Sequence, residues 1–148
     1  MNSGFMNRLE KTYQLFNNCP DPNKKGEDNG WTIKEVLGHL VDSASNNHQR
    51  LLRYIPKGEL SFPSYDQETF VARANYSSFE YRELLTLFYY HNKLLFHIYE
   101  NISDEDLEAS IKVGDRPAVS IVELMKDYFS HIALHENQVR AILEFSAS

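Results

Sequence analysis

Apolar residues recur at three- and four-residue intervals in four long stretches of the sequence, which is the pattern of amphipathic helices. These stretches cover residues 3–17, about 32–54, about 77–102 and about 120–145. The sequence between them shows little of the alternation that marks strands. The pattern therefore predicts an all-α fold, a four-helix bundle.

Three of these helices have a matched start signal, in which a hydroxyl residue precedes a glutamate by three positions. That spacing is typical of a capping box, where each side chain bonds the backbone N–H of the other residue. The pairs are Thr32 with Glu35, Ser77 with Glu80, and Ser120 with Glu123. Their place at helix starts also explains Glu35 and Glu123 without a catalytic role.

The segments between the helices show the remaining local sequence patterns. Residues 19–30 form a loop rich in Pro, Gly, Asn and Asp, and residues 56–66 form a long crossover loop followed by a short helix at about 66–73. Residues 108–117 suggest a small strand-like segment around Gly114. A connection as long as 56–66 lets neighbouring helices run parallel as well as antiparallel, so the bundle need not be up-down-up-down. We expect one domain, 1–148.

Composition and charge narrow the function. Hydrophobic residues make up 42% of the chain and aromatic residues 13%, as expected for a folded domain. The net charge of −6 and the lack of a clustered basic face argue against nucleic-acid binding. Cys19 is the single cysteine, which excludes an internal disulfide and a multi-cysteine zinc site. With no apolar run long enough for a signal peptide or a membrane span, we expect a cytoplasmic protein.

Two histidines of the fourth helix, His131 and His135, are spaced to lie one turn apart on the same face. His39 lies similarly on the second helix, in a polar row with Ser43, Asn46 and Arg50. Helix bundles build metal sites from facing helices, so these three histidines are candidate metal ligands. The alternative is that they are partly buried histidines that only form hydrogen bonds.

Several polar residues accompany the three histidines. Asp42 and Asn46 follow His39 by about one and two turns and could orient water or substrate. Arg50 could pair with a substrate carboxylate or phosphate. Gln138 continues the row of His131 and His135. We predict that these residues, with Asp66, surround the site.

Other residues have two interpretations each. His91 is either a fourth ligand or a partner of the ligands, or else a hydrogen-bonded core histidine. Tyr65 and Asp66 either cover the mouth of the site or stabilise a turn. Asp127, one turn before His131, is either a partner of the ligands or an acid on a solvated face. Glu136 is rotated about 100° from the row of ligands, which makes it a poor candidate for a general base.

Four segments resemble signatures of the DinB-like (damage-inducible, YfiT-related) family of metal-dependent enzymes. They are Trp31–Ala44 with His39 and Asp42, Asn47–Arg50, Phe62–Gln67, and Asp127–Gln138 with His131 and His135. The likeness spans residues 30–140 in the family's order. One departure is Leu134, where relatives often carry a further histidine. That position would point away from the ligand row, so the three histidines are unaffected.

The resemblance implies a four-helix bundle with crossover topology and a three-histidine site for a divalent metal ion, commonly nickel or zinc. It also implies a homodimer that acts on a small molecule. The activity would be hydrolysis or transfer of a low-molecular-weight thiol, with the ion activating water or thiol. The alternatives are a dimeric bundle that binds metal or a small molecule without catalysis, and a purely structural dimeric bundle.

Overall fold

Four long helices form a bundle in the computed structural model of the protein, which describes residues 2–146. The helices are α1 (Asn2–Asn17), α2 (Ile33–Arg53), the short α3 (Gln67–Ala74), α4 (Tyr81–Glu100) and α5 (Ile121–Glu144). Helices α1 and α2 both pack against α4 and α5, so the order around the bundle is α1–α4–α2–α5. Helices α1 and α2 therefore lie across the bundle from each other, as do α4 and α5, whereas α2 and α4 are side by side, unlike in an up-down bundle. The predicted helical bundle is confirmed.

Two of the predicted capping boxes are present. The Thr32 hydroxyl accepts the Glu35 N–H at 3.1 Å, and the Glu35 carboxylate accepts the Thr32 N–H at 3.0 Å. Ser120 and Glu123 make the same reciprocal pair at the start of α5, at 3.2 and 3.4 Å. These bonds satisfy backbone donors that have no partner inside the helix. They fix where the two histidine-bearing helices begin.

The predicted start of the third long helix at Ser77 is wrong. Residues Tyr76–Ser78 form a single 3-10 turn, and α4 begins at Tyr81 with Glu80 as its N-cap. The Ser77 hydroxyl donates to the Asn75 side chain at 3.0 Å instead of capping a helix. Glu80 accepts the Glu83 N–H at 2.7 Å, so it is the cap itself and not the partner of one. The capping-box spacing of Ser77 and Glu80 therefore falls in a turn that precedes the helix and does not mark the helix start.

A three-stranded sheet covers one side of the bundle, and its extent was not predicted. Its strands are β1 (Glu59–Phe62), β2 (Ser110–Val113) and β3 (Val119–Ser120). β2 lies in the middle, parallel to β1 and antiparallel to β3. β1 lies within residues 56–66, which were expected to be a loop. β2 falls within the strand-like segment expected around Gly114, whose φ of +57° suits a turn made by glycine.

The core between the helices is apolar and continuous. Its largest fully buried side chains include Phe16 on α1, Leu37 and Leu40 on α2, and Phe88 and Phe96 on α4. Fully burying one such side chain contributes about 1.5–3 kcal/mol to the stability of the fold. Because α2 and α5 both pack in this core, it fixes their positions. Among the residues that the structure describes, no helix is long and apolar enough to cross a membrane.

Candidate metal centre

Three histidines from two helices meet at the interface of α2 and α5. His39 on α2 is 1% exposed, His135 on α5 is 8% exposed, and His131 is half-buried. One ring nitrogen from each lies within 4.8 Å of the other two. Two features of the sequence bring them together: the four-residue spacing on α5 and the packing of α5 against α2. The structure thus clusters the three predicted residues.

The Nε2 atoms converge on one point. His131 Nε2 lies 3.2 Å from His39 Nε2 and 3.0 Å from His135 Nε2. Nitrogens that share a tetrahedral zinc ion at 2.0–2.1 Å are about 3.3 Å apart. A neutral Nε2 atom carries one hydrogen or one lone pair, so His131 cannot form two good hydrogen bonds here. A shared cation fits these nitrogens better than hydrogen bonds among them.

The partner of His135 fixes which of its nitrogens faces the cluster. The side-chain oxygen of Gln138 lies 2.7 Å from His135 Nδ1. Because that oxygen is an acceptor, Nδ1 carries the hydrogen and the Nε2 lone pair points toward His131. Gln138 therefore lies beside the cluster and contacts one of its three histidines. His39 Nδ1 is buried without a hydrogen-bond partner among residues 2–146.

Burial keeps the three imidazoles neutral. Desolvation, together with the nearby rings of His135 and His131, lowers the pKa of His39 to about 3. Desolvation and the neighbouring His135 lower the pKa of His131 to about 4. The pKa of His135 is also lowered by burial, although its bond to Gln138 opposes this shift. Neutral imidazole is the form that binds a metal ion.

A cavity of about 320 Å³ opens beside the cluster, with His39 and His131 in its wall. Helices α2 and α5 form one side, while the sheet and the segments after β1 and β2 form the other. The lining residues from α2 are His39, Ser43, Asn47 and Arg50. Those from α5 and the residues around the sheet include Tyr128, Asp127, Tyr65, Ile111, Val113 and Arg116. Two of the three clustered histidines thus line a space that is open to a small molecule.

Four other predicted site residues lie in different surroundings. Arg50 is in the cavity wall, but Asp42 and Asn46 are not among its lining residues. Asp42 instead accepts a hydrogen bond of 2.5 Å from the Tyr76 hydroxyl, and Asn46 donates to the Asp42 backbone oxygen at 2.9 Å. Asp66 caps α3 by accepting the backbone N–H groups of the next turn at 3.0 and 3.3 Å. The interpretation of Asp66 as a residue that stabilises a turn therefore accounts for its position.

The residues that had two interpretations also lie in different places. His91 on α4 pairs with His48, with Nε2 to Nδ1 at 3.1 Å, and is not in the three-histidine cluster. Asp127 is exposed but lies on the cavity wall. Glu136 is 2% exposed and faces α1, where Arg8 donates to it at 2.9 Å. It is turned away from the ligands, as its position on the helix indicated.

The polar residues of the cavity that sequence reasoning missed include Asn47 and Arg116. Asn47 could have been found, because it continues the four-residue spacing from His39 through Ser43. Arg116 lies in the turn between β2 and β3, and no periodicity connects it with α2. Only the tertiary fold brings it to the same cavity as Arg50.

The fold is similar to that of two solved structures. YfiT from Bacillus subtilis, described as "a probable metal-dependent hydrolase with an unusual four-helix bundle topology", aligns with a TM-score of 0.80 and 15% identity, over 98% of this chain and 89% of that one. The mycothiol-dependent maleylpyruvate isomerase aligns with a TM-score of 0.64 and 12% identity, over 94% of this chain and 60% of that one. Neither a protein-family model nor a curated protein matches the sequence. The YfiT-like bundle implied by the sequence signatures is therefore confirmed as the fold.

Proposed function

We propose that this protein is a divalent-metal-dependent enzyme whose ion is held by His39, His131 and His135. The convergence of three Nε2 atoms beside an accessible cavity, whose wall includes His39 and His131, carries this proposal. Three protein ligands leave a coordination position free, which distinguishes catalytic sites from closed structural ones. A divalent ion in such a site lowers the pKa of a bound water or thiol and so supplies a nucleophile near neutral pH.

Imidazole donors suit zinc, nickel, copper and iron, and the resemblance favours nickel or zinc. Two reaction types follow from the structural neighbours. YfiT is described as a probable metal-dependent hydrolase, and the isomerase depends on a thiol. We therefore propose hydrolysis or thiol transfer to an electrophile, on a small molecule that fits the cavity. The homodimer and the cytoplasmic location stay predictions.

One experiment separates these reactions from binding without catalysis. The purified protein is stripped of metal, dialysed, reloaded with zinc or nickel, and assayed on ester and electrophile panels with and without a small thiol. We expect turnover only with metal. A requirement for thiol identifies the transferase, and turnover without thiol identifies the hydrolase. Metal bound tightly with no turnover on either panel would instead indicate a binding module.

Metal binding should release almost no protons at pH 6.5. Three imidazoles with ordinary pKa values near 6.5 would be half protonated there and would release about 1.5 protons. With pKa values of about 3 and 4, His39 and His131 are already neutral at that pH, and burial lowers the pKa of His135 as well. The contribution of His39 and His131 to the affinity should therefore stay constant from pH 8 to about pH 5 and fall as these two imidazoles protonate below that.

Calorimetric titration with zinc in buffers of different ionisation enthalpy measures the protons released. Fewer than one proton per ion at pH 6.5 is the expected result. Release of more than one would show that the free histidines are charged near neutrality, because a bound water supplies at most one proton, and this would contradict the buried neutral cluster.

A further inference from the structure

A buried cation without an anionic partner lies in the same cavity as the histidines. Arg50 is only 7% exposed, and its Nε atom is buried with no hydrogen-bond partner in the described part of the chain. One terminal nitrogen donates to the Asn47 side-chain oxygen at 3.3 Å. The guanidinium also packs over the Phe62 ring, 5.1 Å from its centroid. These contacts hold the group in place but leave its charge without a counter-charge.

A second cation increases the excess of positive charge. Burial lowers the pKa of Arg50, the nearby Tyr65 opposes this shift, and the neighbouring Arg116 lowers the pKa again. A guanidinium remains protonated in proteins nonetheless, so two positive charges face one cavity. Across residues 2–146, neither arginine forms a salt bridge, and Asp127 on the same wall pairs with neither. Buried charges normally have partners, so the missing anion is expected from outside the chain.

We propose that Arg50 and Arg116 bind an oxyanion of the substrate, a carboxylate or a phosphate, while its reacting end lies at the three histidines. This inference rests on the proposed function for the reacting end, but the anion site itself stands on the two arginines. The guanidinium fork matches either oxyanion in a bidentate geometry. The cavity of about 320 Å³ restricts the ligand to a small molecule.

The test observes the Arg50 Nε–H signal by NMR in protein labelled with 15N arginine, assigned by its loss in Arg50→Lys. Succinate, inorganic phosphate and the uncharged succinamide are titrated into zinc-loaded and metal-free protein. We expect a saturable shift of this signal with succinate or phosphate and none with succinamide. A shift with succinate alone identifies a carboxylate site, and a shift with phosphate alone identifies a phosphate site.

Matched variants assign the binding to the two arginines. Arg50→Lys keeps the charge but loses the fork, and should weaken the affinity measured by calorimetry about tenfold. Arg116→Gln, at an exposed position that does not endanger folding, should weaken it about threefold. Arg53→Gln removes an exposed charge one turn further along α2, outside the cavity, and should leave affinity within about twofold.

Two results would overturn the proposal. One is no shift of the Arg50 signal with either anion. The other is anion affinity that Arg50→Lys and Arg116→Gln change no more than Arg53→Gln does. Metal binding is scored separately: anion binding in a protein that takes up no zinc would refute the proposed metal site and leave this inference standing. Zinc uptake without anion binding would refute this inference and leave the proposed metal site standing.

Discussion

His39→Ala should abolish metal binding and, with it, the proposed metal-dependent activity. Losing a hydrogen-bond partner of a ligand typically costs 10–100-fold in metal affinity, so losing one of three ligands should cost more than about 100-fold. His39 contributes the only proposed ligand from α2, and the other two lie together on α5. Without it, His131 and His135 are a two-nitrogen site, which rarely holds an ion. Elemental analysis of the purified variant measures the loss directly.

The same variant gives a second measurement that does not depend on knowing the substrate. An ion present at about 100 times its dissociation constant stabilises the folded state by about 2.7 kcal/mol. For a domain of this size that corresponds to a rise in Tm of roughly 5–10 °C. The native protein should show this rise on adding zinc, and His39→Ala should not.

Two further variants complete the experiment. Because His39 is 1% exposed, its replacement by alanine also leaves a cavity in the core. His131→Ala, at a half-buried position, should lose metal with a smaller effect on metal-free stability. His97→Ala removes an exposed histidine of α4 and should keep full metal content. Equal metal content in all three variants would refute the proposed site.

The ligand cluster could be predicted because its residues belong to regular helices. A four-residue spacing on a helix places His131 and His135 together whatever surrounds them. The same periodicity shows that Leu134 points outward, and it is 62% exposed. The meeting of His39 with this pair could not be derived from spacing, since periodicity does not say which helices pack together. The family signatures supplied that step.

The sheet and the start of α4 were harder to predict for local reasons. The strands contain two to four residues, too few for alternation to stand out from a loop. At Ser77, the capping spacing was present, but Tyr76 contacts α2 through its bond to Asp42 and holds the segment in a turn. Arg116 lies in the turn between β2 and β3, and the packing of the sheet brings it to the cavity. The unpredicted half of the site therefore depends on tertiary contacts.

The buried carboxylate of Glu136 should make Arg8 important for stability. Arg8 donates to Glu136 at 2.9 Å, and their side chains are 28% and 3% exposed. Removing one partner of a fully buried ion pair costs about 3–5 kcal/mol. Arg8→Met keeps an unbranched side chain but removes the charge, together with the guanidinium that lies over the Phe129 ring, 5.5 Å from its centroid. Glu136 would retain the Thr12 hydroxyl and Arg140 at 3.8 Å, so we expect a smaller loss of about 2 kcal/mol in the free energy of unfolding.

A double-mutant cycle in urea separates the ion pair from the packing of Arg8. Glu136→Gln removes the buried charge while its amide oxygen can still accept a hydrogen bond, so Arg8→Met in that background should cost less than about 1 kcal/mol. An equal cost in both backgrounds would show that the charge pair contributes nothing. Zinc affinity should change little in Arg8→Met, because Glu136 faces α1 while the neighbouring His135 faces α2. A large loss of zinc affinity would instead mean that this pair positions α5 for metal binding.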